Sequence, residues 1–303
     1  MRFTPLWLIK HMSSVAFIAT LGLTALTLVP ALSPSIHGSH RWLNLGFFSF
    51  QPSELLKITF IIFMASYIAK RKQRSRSAAV NYFPFLALLG IACLLLLKQP
   101  DFGMTVTIAL TVFLVFFIMQ INTKLLLWAV GLSIPLGLAL IYLRSYRWKR
   151  IVTFFNPWSD PQGAGFQLIQ SLIAIGSGSW WGVGIANSRQ KFFYLPMQHT
   201  DFIFAIIAEE TGFIGALFLI FLYVLFLYVG IRIAWRMTDL FSIIVTLGFV
   251  IMTSLQATIN IAVTTGLLPT KGIGLPFVSY GNSSLICSLA MVGLIMNCVA
   301  DSR

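Results

Sequence analysis

The sequence predicts an all-α, polytopic membrane protein, and three observations carry that reading. Of 303 residues, 58% are hydrophobic and only 10% charged, with a mean hydropathy of +0.88; a soluble domain carries about 25% charged residues. A single soluble core also stops growing at about this length, so the 27 Phe residues must meet lipid or other helices. Finally, the apolar residues gather into long runs, and a hydrocarbon core of about 30 Å needs roughly 20 apolar residues of helix.

About eight such runs are legible: 12–32, 54–69, 80–97, 103–121, 124–143, 208–231, 240–264 and 280–299. The first resembles a signal peptide in length. It is followed by Pro30 and Pro34 and not by a small-residue cleavage site, so it is read as a retained span. The second is short and carries Glu54 and Lys57 near its start. Basic residues set the orientation, because short cytoplasmic loops collect Lys and Arg. Arg2, Lys10, the Lys70–Arg76 cluster, Lys124, Arg232, Arg236 and Arg303 then face the cytoplasm, with both termini inside. The net charge of +13 is spread between apolar spans and marks topology; it does not form a nucleic-acid surface. Cys93, Cys287 and Cys298 all lie in apolar runs, which argues against a disulfide framework, and no zinc-type spacing occurs.

The outer face receives loops 33–53, 98–102, 144–207 and 265–279. The 144–207 loop is much longer than an ordinary helix connection. It holds a semi-apolar stretch, Phe166–Ile175, and the run Gly176-Ser-Gly-Ser-Trp-Trp-Gly-Val-Gly184. Short helices at the interface are expected there, with Trp148, Trp158, Trp180 and Trp181 at headgroup level. The chain reads as one membrane domain, 1–303.

Eight acidic residues are few enough to weigh singly. Asp239 and Asp301 sit at cytoplasmic ends, Asp160 lies in a turn, and Asp101 is placed to cap a helix. Glu54 and Lys57, three apart on one helix face, suit an ion pair or a polar pocket, with Ser53 placed as a cap. Asp201 follows His199 and Thr200 at the mouth of a span, which suits a general base or a helix cap. Glu209 and Glu210 fall about 12–14 Å further along a helix, at least one of them facing the bundle. Arg147, Arg150, Arg189, Lys191 and Lys271 suit an anionic lipid headgroup, Arg by its bidentate fork. The residues alone leave a transporter and a lipid-modifying enzyme level.

Longer strings break the tie. Arg41-Trp-Leu43 with Phe50-Gln-Pro-Ser-Glu-Leu-Leu-Lys57, Phe155-Asn-Pro-Trp-Ser-Asp-Pro-Gln-Gly-Ala-Gly-Phe-Gln167, Leu195-Pro-Met-Gln-His-Thr-Asp-Phe-Ile-Phe204, Leu268-Pro-Thr-Lys-Gly272 and Leu275-Pro-Phe-Val-Ser-Tyr-Gly281 occur in that order. Together they resemble the FtsW/RodA/SpoVE (SEDS) family from about residue 10 to 300, the Pro269–Gly272 element being nearer the division branch, FtsW, than the elongation branch. The resemblance implies a peptidoglycan glycosyltransferase that polymerises lipid II at the outer face of the plasma membrane, at the division septum, beside a class B penicillin-binding protein and other division proteins. It places the essential carboxylate at Asp201, the general base of an inverting displacement. It also implies a cavity with Trp42, Gln51, Glu54, Lys57, His199 and Thr200. Lys271, Arg189 and Lys57 are candidates for the departing pyrophosphate, with a divalent cation as a further candidate.

Three departures from the family pattern accompany the likeness. Members usually have ten spans, and the first two have no counterpart here; Met197 stands where Glu is usual, and Asn282 where Gly is usual. A lipid II flippase and a non-catalytic division scaffold are the alternative functions.

Overall fold

The structure, a computed structural model, describes residues 4–29, 33, 41–44, 49–72, 78–121, 127, 128, 131, 135, 137, 142, 145–190 and 200–302. The helices are α1 (Leu6–Leu26), α2 (Pro52–Lys72), α3 (Ala78–Lys98), α4 (Phe102–Ile118), α5 (Ser145–Phe155), α6 (Phe166–Ser177), α7 (Ile203–Ala234), α8 (Leu240–Thr264) and α9 (Asn282–Asp301). A 3₁₀ turn covers Pro157–Ser159, and two-residue strands β1 (Leu43–Asn44) and β2 (Ser49–Phe50) pair antiparallel. Among the described residues five helices are long and apolar enough to cross a membrane: α1, α2, α7, α8 and α9. The apolar parts of α3 and α4, Tyr82–Lys98 and Phe102–Ile118, are shorter. The expected span at 124–143 lies mostly outside the described residues, as do residues 73–76 of the basic cluster; Leu127, Trp128 and Tyr142 are helical. The first span sits six residues earlier than expected, because Pro5 and not the apolar run sets its start.

The chain divides into two compact units, residues 1–122, 227–253 and 282–303 in the first, and 123–226 and 254–281 in the second. In the first unit, α2 is the central helix. Its mean hydropathy is only 1.3, yet 83% of its span is buried. α7, at hydropathy 2.6, is 11% buried. That is the reverse of a soluble protein: the most apolar helix faces outward, and the polar side chains of α2 are sheltered among other helices. Phe17 of α1 stacks on Phe63 at 4.8 Å and meets Phe60 edge-on at 5.4 Å. Phe85 of α3 extends the cluster to Phe116 of α4. Between the rings, the Thr20 and Thr59 hydroxyls bond at 2.7 Å, and each also reaches a carbonyl of its own helix. Such back-bonding lets a hydroxyl lie against apolar surface without an orphaned donor.

At the opposite end of the same unit, Lys10 pairs with Asp239 at 2.9 Å. Asp239 also accepts from the Ser242 N–H and hydroxyl, capping α8. The pair is over a third exposed on each side, so it orients more than it stabilises.

In the second unit, Asp160 closes the predicted turn by accepting from Ala164 N–H at 3.1 Å and pairing with Lys149 at 3.2 Å. α6 fills the semi-apolar stretch as expected, and Ser171 on it donates to the Thr264 carbonyl at the end of α8. All four loop tryptophans are exposed, Trp181 most of all at 82%, which fits interfacial anchoring.

The span expected at 208–231 starts at Ile203 and is broken at Gly212, where φ is 71° and ψ −170°. The break frees backbone groups on both sides, and the Gly-rich run takes them up. Val183 and Gly184 donate to the Glu209 and Glu210 carbonyls at 3.0 and 3.1 Å, while Phe213 and Ile214 donate to the Ser179 and Trp180 carbonyls at 2.8 and 3.4 Å. Only glycine allows so close an approach. A Cβ at Gly178 would stand 2.0 Å from the Ala208 carbonyl oxygen, one at Gly182 2.2 Å from that of Glu210, and one at Gly212 2.4 Å from the Gly182 nitrogen.

Gly212→Ala should therefore lower thermal stability in detergent markedly. The backbone conformation alone costs about 1–3 kcal/mol for a residue with a Cβ, before the contact with residue 182 is counted. Gly22→Ala, in a helix with open space around it, should leave the melting temperature unchanged or raise it by the equivalent of up to about 1 kcal/mol. Equal melting temperatures for the two variants would contradict the structural role of the break.

Candidate active site

Pro52 opens α2, a position that suits its missing N–H and fixed φ. Ser53 therefore does not serve as the expected cap. It lies inside the helix, and its hydroxyl accepts from Gln51 Nε2 at 3.0 Å. Gln51 also donates its backbone N–H to Ser283 Oγ of α9 at 3.4 Å, so its role in the structure is to tie α2 to α9. One turn into α2, Glu54 and Lys57 pair at 2.6 Å, with side-chain exposures of 7% and 0%. Trp42 is half-buried just before β1.

Arg41 was legible only as part of a motif, and the structure gives it a task. Its Nε and Nη2 donate to the Gln99 and Pro100 carbonyls at 3.1 and 2.6 Å, and Nη1 lies 3.9 Å from Asp101. Asp101 is the cap expected from sequence, accepting from Met104 N–H at 3.1 Å. Burial pushes its carboxyl above the usual range, opposed by the Arg41 guanidinium and the Met104 N–H. Gln99 donates to the Thr24 carbonyl at 2.7 Å and to the Thr27 hydroxyl. The α3–α4 connection is thus bound to α1 and to the segment before β1.

The second unit carries the other candidate residues. Asp201 and Thr200 are half-buried in the turn before α7. The chain is held there by its carbonyls: Asn260 of α8 donates to the Asp201 carbonyl at 2.8 Å, and Ser279 Oγ to the Thr200 carbonyl at 2.5 Å. The 265–279 loop is fastened to the same groups, since Asn260 also donates to the Ile273 carbonyl at 2.6 Å. Gln256 reaches the Gly274 carbonyl at 3.0 Å, and Tyr223 that of Pro276 at 2.5 Å. Lys271 sits in this loop, and burial lowers its pKa from the ordinary lysine value. His199, Met197 and Lys191 lie outside the described residues.

Glu209 is the acid that faces inward. Its carboxylate accepts from Ser188 Oγ at 2.5 Å and Arg189 N–H at 3.1 Å, which fixes the chain leaving the Gly-rich run. The Arg189 side chain is exposed. The sequence did hold a signal for Gln256 and Asn260: two amides four apart in an apolar span share one helix face. Ser188 and Ser279 gave no such signal. Among the described residues no three His, Cys, Asp or Glu side chains converge as a metal-ion set, and the inward carboxylate, Glu209, is taken by Ser188 and Arg189.

Long apolar helices that shelter a buried ion pair define a multi-pass membrane protein. The chain belongs to the cell cycle protein family of FtsW, RodA and SpoVE, which matches residues 1–303. It is 43% identical over 296 residues to a probable peptidoglycan glycosyltransferase FtsW from Saccharophagus degradans, covering 96% of this chain and 76% of that protein. Stage V sporulation protein E of Bacillus subtilis is 41% identical over 299 residues, covering 98% and 81%. Among solved structures, a chain from a peptidoglycan synthase complex, described as coordinating polymerization and crosslinking, superposes with a TM-score of 0.82. It is 32% identical and covers 100% of this chain and 84% of its own.

Removing either member of the Glu54–Lys57 pair leaves one charge buried and unpaired, at a cost of about 3–5 kcal/mol. Glu54→Gln with Lys57→Met should cost much less than the sum of the single changes. A double-mutant cycle on thermal stability in detergent measures this; additive losses would mean the two side chains are not coupled.

Proposed function

We propose that this protein is a peptidoglycan glycosyltransferase that polymerises lipid II, with Asp201 as general base. The observation that supports this is that Asp201 stands in a turn whose backbone is tied through Asn260 and Ser279, in a chain about 40% identical to proteins named for that activity. Such a carboxylate can take the proton from the acceptor sugar 4-hydroxyl as that oxygen attacks the anomeric carbon of the donor. The C–O bond to the pyrophosphate breaks on the opposite face, which inverts the anomeric centre. The leaving group departs as undecaprenyl pyrophosphate and needs cations placed where its charge develops. Lys57 is already spoken for by Glu54 and has no exposed surface, so the choice narrows to Lys271 and Arg189. A lysine already half withdrawn from water stabilises developing charge more strongly than a fully hydrated one.

The reaction belongs on the outer face, where the glycan is built, with both termini in the cytoplasm and the protein at the division septum. The solved synthase complex is described as joining polymerization to crosslinking. By analogy a class B penicillin-binding protein supplies the crosslinking here, within a larger set of division proteins.

Asp201→Asn keeps the shape but cannot accept the proton. Polymer formed from labelled lipid II supplied directly to purified protein should fall on the order of 10²-fold or more, with the melting temperature held. Turnover within a few-fold of the parent would remove Asp201 from this role. A protein that translocates lipid II without making polymer would instead be a flippase.

Topology is checked separately. Single cysteines at Asn187 and Thr238, both exposed, in a background lacking Cys93, Cys287 and Cys298, should label oppositely with an impermeant thiol reagent. Asn187→Cys should react from outside intact cells and Thr238→Cys only after permeabilisation. The reverse pattern would put Asp201 on the cytoplasmic face, where no glycan strand is made.

A further inference from the structure

We infer that Asn260 is a positioning residue for the reaction, setting Asp201 and the Lys271 loop in register through a single side-chain amide; this rests on the assignment of Asp201 as general base. Asn260 is 2% exposed on α8, and its two N–H groups go to different chain segments: one to the Asp201 carbonyl at 2.8 Å and one to the Ile273 carbonyl at 2.6 Å. Ile273 is two residues beyond Lys271. The base and the loop that carries a candidate pyrophosphate cation are therefore held by the same Nδ2 atom. A shift of either segment lengthens a bond to it.

The orientation of this amide is settled by chemistry. With Nδ2 toward the two carbonyls, both N–H groups are used and Oδ1 is left buried with no donor against it among the described residues. The opposite orientation points Oδ1 at two carbonyl oxygens and leaves both N–H groups empty, which is worse on every count.

A second tie runs parallel. Ser279 Oγ accepts the Leu275 N–H at 2.6 Å and donates to the Thr200 carbonyl at 2.5 Å. The 200–201 turn and the 273–279 loop are therefore fastened at two adjacent residues, by one group from α8 and one from the loop itself. Two ties remove rotation as well as translation of the turn. Orientation matters here because a general base must meet the acceptor hydroxyl within hydrogen-bond reach, and a misplacement of about 1 Å costs on the order of 10²-fold in rate.

The experiment measures kcat and KM for lipid II per folded enzyme, using the full chain in nanodiscs with labelled lipid II as the probe. Asn260→Ala should lower kcat by about 10- to 100-fold and leave KM for lipid II within about threefold, the pattern of an interaction needed only in the transition state. Asn260→Asp, which keeps the shape and exchanges both donors for an acceptor, should do no better than Asn260→Ala. Ser279→Ala should show the same kcat-selective loss at smaller size. Thr258→Ala, which removes an exposed hydroxyl on the same helix bonded only to the Ser254 carbonyl, should keep the parent kcat. Wild-type kcat in Asn260→Ala or Asn260→Asp overturns the inference, as does a rise in KM at constant kcat. If Asn260→Ala does not fold, wild-type kcat in Ser279→Ala overturns it. Asp201→Asn is run in the same assay. If it retains turnover, the base assignment fails whatever Asn260 does; if it is inactive while Asn260→Ala is normal, only the positioning role fails.

Discussion

Hydrocarbon offers no partner to a peptide N–H or carbonyl, and each one left bare costs several kcal/mol. The described structure follows from that constraint. Where a helix continues, the demand is met along its own axis. Where α7 breaks at Gly212, four backbone bonds from residues 179–184 meet it from outside the helix. The hydroxyls of Thr20, Thr24, Thr107 and Thr111 obey the same rule by turning back onto carbonyls of their own helices. The loops are equally constrained: the backbone carbonyls at Gln99, Pro100, Thr200, Asp201, Ile273, Gly274 and Pro276 are each taken by a side chain from elsewhere in the same unit.

The side chains used for this are amides, hydroxyls and one guanidinium, those of Tyr223, Gln256 and Asn260 being fixed on helices. A carbonyl held by a buried donor has few alternative positions, so the turns that carry the candidate chemistry inherit the stiffness of the helices. That is how a loop-borne carboxylate can be placed as firmly as one on a helix. The Glu54–Lys57 pair solves the complementary problem, since a charge in the interior of a membrane protein is costly unless an opposite charge or hydrogen-bond partners meet it.

The membrane class, six of the eight expected segments as helices to within five residues, the Asp101 cap, the Asp160 turn and the acidic–basic pair on α2 were all legible from composition, periodicity and spacing. Boundaries were less so. Pro5 and Pro52 fix helix starts by geometry, so hydropathy misplaced the first span and spacing misassigned the cap at Ser53. The break at Gly212 was illegible, because its signal is a contact between residues 30 positions apart: Gly182 and Gly212 each need the other's backbone. At least one of Glu209 and Glu210 was expected to face inward, but nothing in the chain announced which, or that Ser188 would be the partner of Glu209. Asn260 and Gln256 stood in plain view as two amides on one face of an apolar helix, yet what they hold is set by tertiary placement alone.

The Gly-rich run carries one further implication, for how sequences of this kind can change. Connecting segments ordinarily absorb insertions and deletions. Here residues 179–184 run against residues 209–214 with bonds at both ends, Ser179 and Trp180 facing Phe213 and Ile214, Val183 and Gly184 facing Glu209 and Glu210. One residue gained or lost between those pairs would put every donor opposite a donor or a void. The segment is a loop by position but has the fixed length of a strand in a sheet.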